Sequence, residues 1–530
     1  MKEQPDMADS NPITAEPSAA DPNSGDPNDP VRWRILAVLL IAIFMSLMSV
    51  SIVNVALPSI QTGLDATQSD LQWVLSGYAL TFGIFLVAAG RAGDLMGRGG
   101  IFILGVLIFT ASSVAAGLAP NAEALNAARF AQGLGSGLLN PQGVGMIQQY
   151  FRGSDRGRAF GYFGSVVGVA VGIGPVIGGL LIGAGGPDLG WRLTFLVNVP
   201  IGIICIALAL RWFPRPLIRR MPKASAVGPE SVGPESVGPE SVGPESVGQG
   251  SSGPRPSLDP VGAILLGLAV LAVLFPFMES GRSPLIWLLI PLGLALVWTW
   301  VRWERWYAGR GRSPMVDLGI FSIRSFTNGS VIVTLYFLGM TSIWVLVALY
   351  IQDGVGGSAL AAGAVGVPSA LISAVAANWA GKRVMRYGRK IVIVGLLFAL
   401  AGLGLSIAVV LLREAGHLSE WWLVLSLSLI GVAQGSVISP NQTLTLADVP
   451  LAYAGSSGAI MQTGQRIGTS IGIAVITAAV FGMLDVTSWA VAVAVGFGIV
   501  SVVVMLALAV AVKDQRDRGP LRQQRVENGT

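Results

Sequence analysis

Long uninterrupted apolar blocks constrain this chain more than any other feature. A helix that crosses a bilayer needs about 20 predominantly apolar residues, with a range of about 17–25. Blocks of that length run over residues 33–57, 71–89, 101–118, 124–147, 159–184 and 191–210. Two more cover 260–278 and 284–301, and a final six cover 327–351, 360–380, 391–412, 421–444, 457–484 and 489–512. The count predicts fourteen membrane-spanning helices in an all-α polytopic membrane protein. Only 12% of the residues are charged, roughly half the share usual in soluble chains. The 69 glycines suit close packing of membrane helices, where small residues let backbones approach.

Charge then sets the orientation. The formal net charge is +5, but the basic residues sit in short clusters between apolar blocks and form no patch with interleaved aromatics, so nucleic acid is not an expected partner. With an even number of spans both termini share a side, and 29 of the 34 Lys and Arg residues fall on it. Excess Lys and Arg marks the cytoplasmic side of a membrane protein, which places both termini in the cytoplasm. Arg192, Arg282 and Arg413 lie opposite, while Arg129 and Arg466 lie inside helices. The single cysteine, Cys205, reads as a small buried hydrophobe, and His417 as a loop residue. Residues 1–30, rich in Asp, Pro, Ser and Asn, read as a disordered tail rather than a signal peptide.

Two repeats organise the chain. Val227-Gly-Pro-Glu-Ser231 recurs in tandem up to Ser246, and so Gly-, Pro- and Ser-rich a segment reads as a flexible linker. Gly90-Arg-Ala-Gly-Asp-Leu-Met-Gly-Arg98 follows the second block, and Gly381-Lys-Arg-Val-Met-Arg-Tyr-Gly-Arg389 follows the tenth. Both read Gly, a base, five residues, then Gly-Arg. Ala131-Gln132-Gly133 in the fourth block likewise recurs as Ala433-Gln434-Gly435 in the twelfth. Parallel repeats of this kind mark transporters. The expected division is a tail (1–30), a six-helix bundle (31–213), a cytoplasmic linker (214–258), an inserted helix pair (259–305), a second bundle (306–512) and a cytoplasmic C-terminal tail (513–530).

On these motifs the chain resembles the major facilitator superfamily, and within it the fourteen-helix drug:proton antiporters, over nearly everything from residue 33 to 512. The loop containing Gly90, Arg91, Asp94, Gly97 and Arg98 matches the superfamily's gating loop after helix two. Arg129-Phe-Ala-Gln132-Gly133 matches the helix-four Arg-x-x-Gln-Gly pattern. Gly172-Ile-Gly174-Pro175-Val-Ile-Gly178-Gly179 matches the antiporter motif of exporters, and Asn54-Val-Ala-Leu-Pro58 is typical of the fourteen-helix branch. The resemblance implies two six-helix bundles with two inserted central helices. It also implies alternating access, a proton gradient as energy source, small-molecule cargo and a bacterial inner membrane, with Asp94 as a latch against a helix end. A monomer is expected, with no cofactor and no metal.

The residues carry their own physics. Arg129 inside a membrane helix costs about 2.5–3.5 kcal/mol on insertion scales, so it should face a cavity or a partner. Asn54, Gln132 and Arg466 are candidates for the transport path, with Asn140, Gln142, Asn441, Gln442, Gln462 and Gln465 as further polar candidates. Gly174-Pro175 should interrupt the helix-five ladder, with Gly178 and Gly179 allowing close approach. One position departs from the family: Ser49 stands where fourteen-helix antiporters commonly carry an Asp. No carboxylate is expected deep inside any helix; Glu279, Asp353 and Asp485 fall at helix ends. No Ser/His/Asp, Cys/His or metal constellation supports an enzyme. Multidrug export is the leading reading. A dedicated exporter of an endogenous metabolite or lipid, and a non-transporting membrane sensor, are its rivals.

Overall fold

A computed structural model describes residues 30–218, 258–278 and 283–527. The N-terminal tail, the pentapeptide repeats and Glu279 lie outside the described residues. Fourteen helices follow one another, beginning with α1 (Val31–Leu64), α2 (Gln68–Met96), α3 (Arg98–Gly117), α4 (Ala122–Tyr150), α5 (Gly153–Gly186) and α6 (Asp188–Trp212). The inserted pair is α7 (Pro260–Met278) and α8 (Leu289–Gly309). The second bundle comprises α9 (Arg324–Leu349), α10 (Ala359–Tyr387), α11 (Arg389–Glu414), α12 (Leu423–Thr445), α13 (Ala454–Leu484) and α14 (Trp489–Glu527).

Among the described residues thirteen helices are long and apolar enough to cross a membrane. The fourteenth, α4, is long enough but less apolar, because it carries Arg129, Gln132, Asn140, Gln142 and Gln148. All five are buried within the protein, where protein groups take the place of lipid.

The two bundles repeat the same packing. In the first, α1 packs on α5 and α6, α4 on α2 and α3, and α3 on α6. In the second, α9 packs on α13 and α14, α12 on α10 and α11, and α11 on α14. Their seams are equivalent too: α2 meets α13, and α10 meets α5. The repeated loop serves both seams. A β-carbon on Gly90 would lie 2.7 Å from the Gly455 carbonyl oxygen, and one on Gly381 would lie 2.5 Å from that of Gly157. The second glycine of each repeat ends the helix: Gly97 has φ 107° and Gly388 φ 56°, backbone that only glycine adopts readily. The inserted α7 packs along the α2–α13 seam, with α8 outside it.

Two helices run further than hydropathy indicates. α14 continues helically past residue 512 into the segment expected to be a tail. Asp514, 1% exposed, is held there by Arg389 at 2.5 Å. α8 continues past residue 301 to Gly309 through Arg302, Trp303, Glu304 and Arg305.

Gly381→Ala should therefore overpack the α5–α10 seam, where the obstacle is backbone and cannot swing away. The expected cost is about 1–3 kcal/mol, read as a lower midpoint of thermal unfolding in detergent. Gly404→Ala on α11, with nothing within 4 Å of its β-carbon, should leave that midpoint unchanged or raise it.

Candidate functional site: a central cavity above a bridged gate

A cavity of about 240 Å³ lies between the bundles. Phe163 of α5 and Tyr336, Phe337 and Trp344 of α9 give it an apolar, aromatic wall. The polar groups are Asn140 of α4, Gln434 and Gln442 of α12, and Gln462, Gln465 and Arg466 of α13. No carboxylate is among the lining residues. The Arg466 guanidinium stands 4.4 Å from the centre of the Phe82 ring, a cation–π contact that offsets part of its desolvation.

Of the expected path residues, Arg466 lines the cavity, and Arg129, Gln132 and Asn54 do not. Arg129 is fully enclosed. Its Nε donates to the Val74 carbonyl at 2.8 Å and its Nη1 to Gln132 at 2.5 Å. Gln132 in turn donates to Ser113 at 2.7 Å, so the pair ties α4 to α2 and α3. Arg129 also lies 4.4 Å from the Tyr78 ring centre. The Tyr78 hydroxyl bonds Ser136 at 2.6 Å and Ser46 at 3.1 Å, and Asn140 donates to the Ser136 carbonyl at 3.0 Å. A polar chain thus runs from Arg129 to the cavity wall. Sequence reasoning missed Tyr78, Ser46 and Ser136, since single hydroxyls in an apolar block give no pattern. Asn54 is exposed on α1, while Ser49 is buried with an unpartnered hydroxyl. Gln142 donates to the Ala89 carbonyl at 2.7 Å. Asn441 accepts from Arg389 and donates to the Gly329 carbonyl, away from the cavity.

The end of the bundle bearing the α2–α3 loop is bridged. Asp94 accepts hydrogen bonds from the backbone N–H of Gly455 at 2.9 Å and of Ser456 at 3.0 Å, and from the Ser456 hydroxyl at 3.1 Å. These are first-turn amides of α13, whose N-terminus carries roughly half a positive charge. Arg98 donates to Asp94 at 2.8 Å and to the Leu451 carbonyl at 2.8 Å. Gln148 adds a bond to the Leu446 carbonyl at 2.7 Å. Arg91 turns aside and donates to Ser313, in the connection after α8.

The antiporter motif packs α5 between the bundles. Pro175 has no N–H to offer the Val171 carbonyl four residues earlier, and Ser51 of α1 donates to that carbonyl at 2.8 Å instead. The ladder is broken there as expected, but with that carbonyl satisfied α5 keeps helical φ/ψ through Gly174-Pro175. The one departure is Gly186, at φ 69°. β-carbons on Gly172 and Gly174 would press on Ala370 of α10 and Ser51 of α1, at 2.6 and 2.7 Å.

Asp353 and Asp485 are exposed at helix ends, but Glu304 inside α8 and Asp514 inside α14 are each 1% exposed, against the expectation of no carboxylate deep inside a helix. The charges around Glu304 end the apolar block early, so hydropathy places the end of its helix before it.

The family follows from this fold. The family model described as Major Facilitator Superfamily matches residues 39–473 and 330–527, and the chain belongs to that superfamily. It is a membrane transporter, not an enzyme. Curated relatives include a probable actinorhodin transporter of Streptomyces coelicolor, 30% identical over 86% of this chain and 73% of its own length. A riboflavin transporter of Clostridioides difficile is 27% identical, with coverage of 84% and 88%. A multidrug resistance protein of Mycobacterium tuberculosis is 26% identical, with coverage of 84% and 75%. Among solved structures, the human organic anion transporter superposes with a TM-score of 0.62 at 13% identity, covering 91% of this chain and 100% of its own.

The packing distinguishes glycines within the antiporter motif. Gly174→Ala should push α5 off α1 and lower both transport and the thermal midpoint, by an overpacking cost of about 1–3 kcal/mol. Gly179→Ala, with nothing within 4 Å, should behave as wild type. Equal damage from both would assign the motif a role other than packing.

Proposed function

We propose that this transporter exports small hydrophobic or amphipathic compounds by alternating access, driven by proton antiport. The observation that carries the reading is the cavity between the bundles, aromatic-walled and edged by amides and Arg466, above an end bridged by Asp94. An aromatic wall takes apolar cargo, and a few convergent polar groups orient it. Asp94 acts as a latch. Its bonds to the α13 amides hold the seam shut on one side, and breaking them opens the cavity there. Relatives named as multidrug and puromycin resistance proteins support export. The probable actinorhodin transporter and the riboflavin transporter, each named for one compound, support dedication to a single metabolite and so a second reading, a dedicated exporter of an endogenous metabolite.

Cargo charge follows from the lining. A dication in a low-dielectric cavity needs a nearby carboxylate to offset its desolvation, and the lining offers Arg466 instead. In everted vesicles the wild type should move neutral and anionic compounds in preference to lipophilic dications. Ser49→Asp should raise cation transport, and Asp94→Asn should slow turnover more than it weakens binding. Gradient-driven dication export by the wild type at the rate of neutral compounds would overturn the cargo assignment.

The membrane is a bacterial inner membrane, and the bridged, basic end faces the cytoplasm, with both termini there. Ser154, exposed in the first turn of α5, and Ser488, exposed before α14, test this orientation. An impermeant thiol reagent added to intact cells should label Ser488→Cys and leave Ser154→Cys untouched. The reverse pattern would invert the topology.

A further inference from the structure

The inserted pair buries two acids around Gly262, and among the described residues no cation is paired to either. Asp259, immediately before α7, is 0% exposed and Glu304 of α8 is 1% exposed. Asp259 accepts from the indole N–H of Trp303 at 3.0 and 3.1 Å and from the Gly262 N–H at 3.0 Å. Glu304 Oε2 accepts from the Met315 N–H at 3.0 Å. Its other oxygen, Oε1, has no hydrogen-bond partner, although Trp300 and Val316 stand beside the carboxyl group. Both acids border the space beside Gly262, whose β-carbon would lie 3.0 Å from Glu304 Oε1 and 2.9 Å from Asp259 Cγ. No ion pair joins either acid to a basic side chain among the described residues.

The carboxyl groups of both acids border one small space, and one proton between them removes the repulsion and most of the burial penalty. We propose that Asp259 and Glu304 form a proton-binding site that holds one proton while the basic end is bridged and releases it when that end opens. This rests on the proton-driven reading above and gives it a carrier, which the cavity lining and Ser49 do not. The proton leaves the carboxyl oxygen for water, and the pair becomes a carboxylate couple.

The site is wired to the gate through Arg91. The ionisable groups around the Arg91 guanidinium are Asp94, Glu304, Asp317 and the Tyr453 phenol. They come from α2 itself, α8, the connection to α9 and the turn before α13. Among the described residues Arg91 Nε is buried without a partner, and Nη2 of the same guanidinium donates to the neutral Ser313 hydroxyl. An unpartnered cationic donor thus sits within electrostatic reach of an unpartnered carboxyl oxygen. Loss of the proton turns that oxygen into the stronger acceptor, drawing Arg91 away from Ser313 and disturbing the loop that carries Asp94.

Infrared difference spectroscopy of the full-length protein in liposomes, titrated with acid and base, reads the site directly through the C=O stretch of a protonated buried carboxyl. The wild type should show this band disappearing as the pH rises; Glu304→Gln and Asp259→Asn should abolish the titration, and Glu304→Asp should keep it with a shifted midpoint. In everted vesicles Glu304→Gln should also lose the stimulation of efflux by a proton gradient, and Glu304→Asp should retain it. A titration unchanged in both neutral variants would make the acids structural and overturn the site. Loss of the titration with full gradient stimulation would overturn its coupling role. A wild type that titrates through Glu304 but exports without any gradient dependence would leave the site standing and remove proton antiport from the proposed function.

Discussion

Hydrocarbon offers no water to an unsatisfied polar group, and the placement of nearly every informative residue follows from that. Pro175 removes one donor from α5, and the carbonyl it would have served is taken by Ser51 of the neighbouring helix. Arg129 finds a carbonyl, an amide and an aromatic face in place of a counter-ion. Arg389 spends its guanidinium on Asp514 and Asn441. α4 carries the most such groups and is the helix with least claim to a lipid-facing surface. Polarity in this chain is therefore a map of what faces protein, and the cavity lies where polarity and aromatic surface converge.

The same constraint shapes the seams. Helices in lipid gain little from hydrophobic association, so they rely on close contact and on a few strong polar bonds. The α2–α13 and α5–α10 seams use glycine to bring backbones together, and the charged bonds are concentrated at one end. Seams built in this way separate by breaking a small number of localised interactions. A carboxylate on helix N-terminal amides is such an interaction: strong while dry, weak once water enters.

Much of this was legible in the residues. Fourteen helices followed from block length, and the repeated Gly-Arg loop identified the two halves. The register of that repeat even marked the glycines that touch across the seams. Arg129 and Arg466 look alike in sequence, both single bases within apolar blocks. One is tied among α2, α3 and α4 while the other lines the cavity, because the direction a side chain takes depends on neighbours that one helix does not specify. Glu304 was hidden for a different reason. A hydropathy window stops at Arg302 and Glu304, but an α-helix continues wherever protein covers the charge. Burial beside α7 and the segment at Met315 is a tertiary fact.

That concealment bears on how the transporter divides its labour. A carboxylate in the substrate cavity serves two masters, since it attracts cationic cargo and also binds the coupling proton. Here the described cavity lining holds no acid. The buried acids lie instead beside the gating loop, on helices that α7 packs against α2 and α13. Under the proposed mechanism a proton bound there would act on the Asp94 bridge through Arg91 without competing with cargo for the same oxygen atoms. Cargo chemistry would then be free of the energy source, and a neutral or anionic compound would be moved by a proton it never meets.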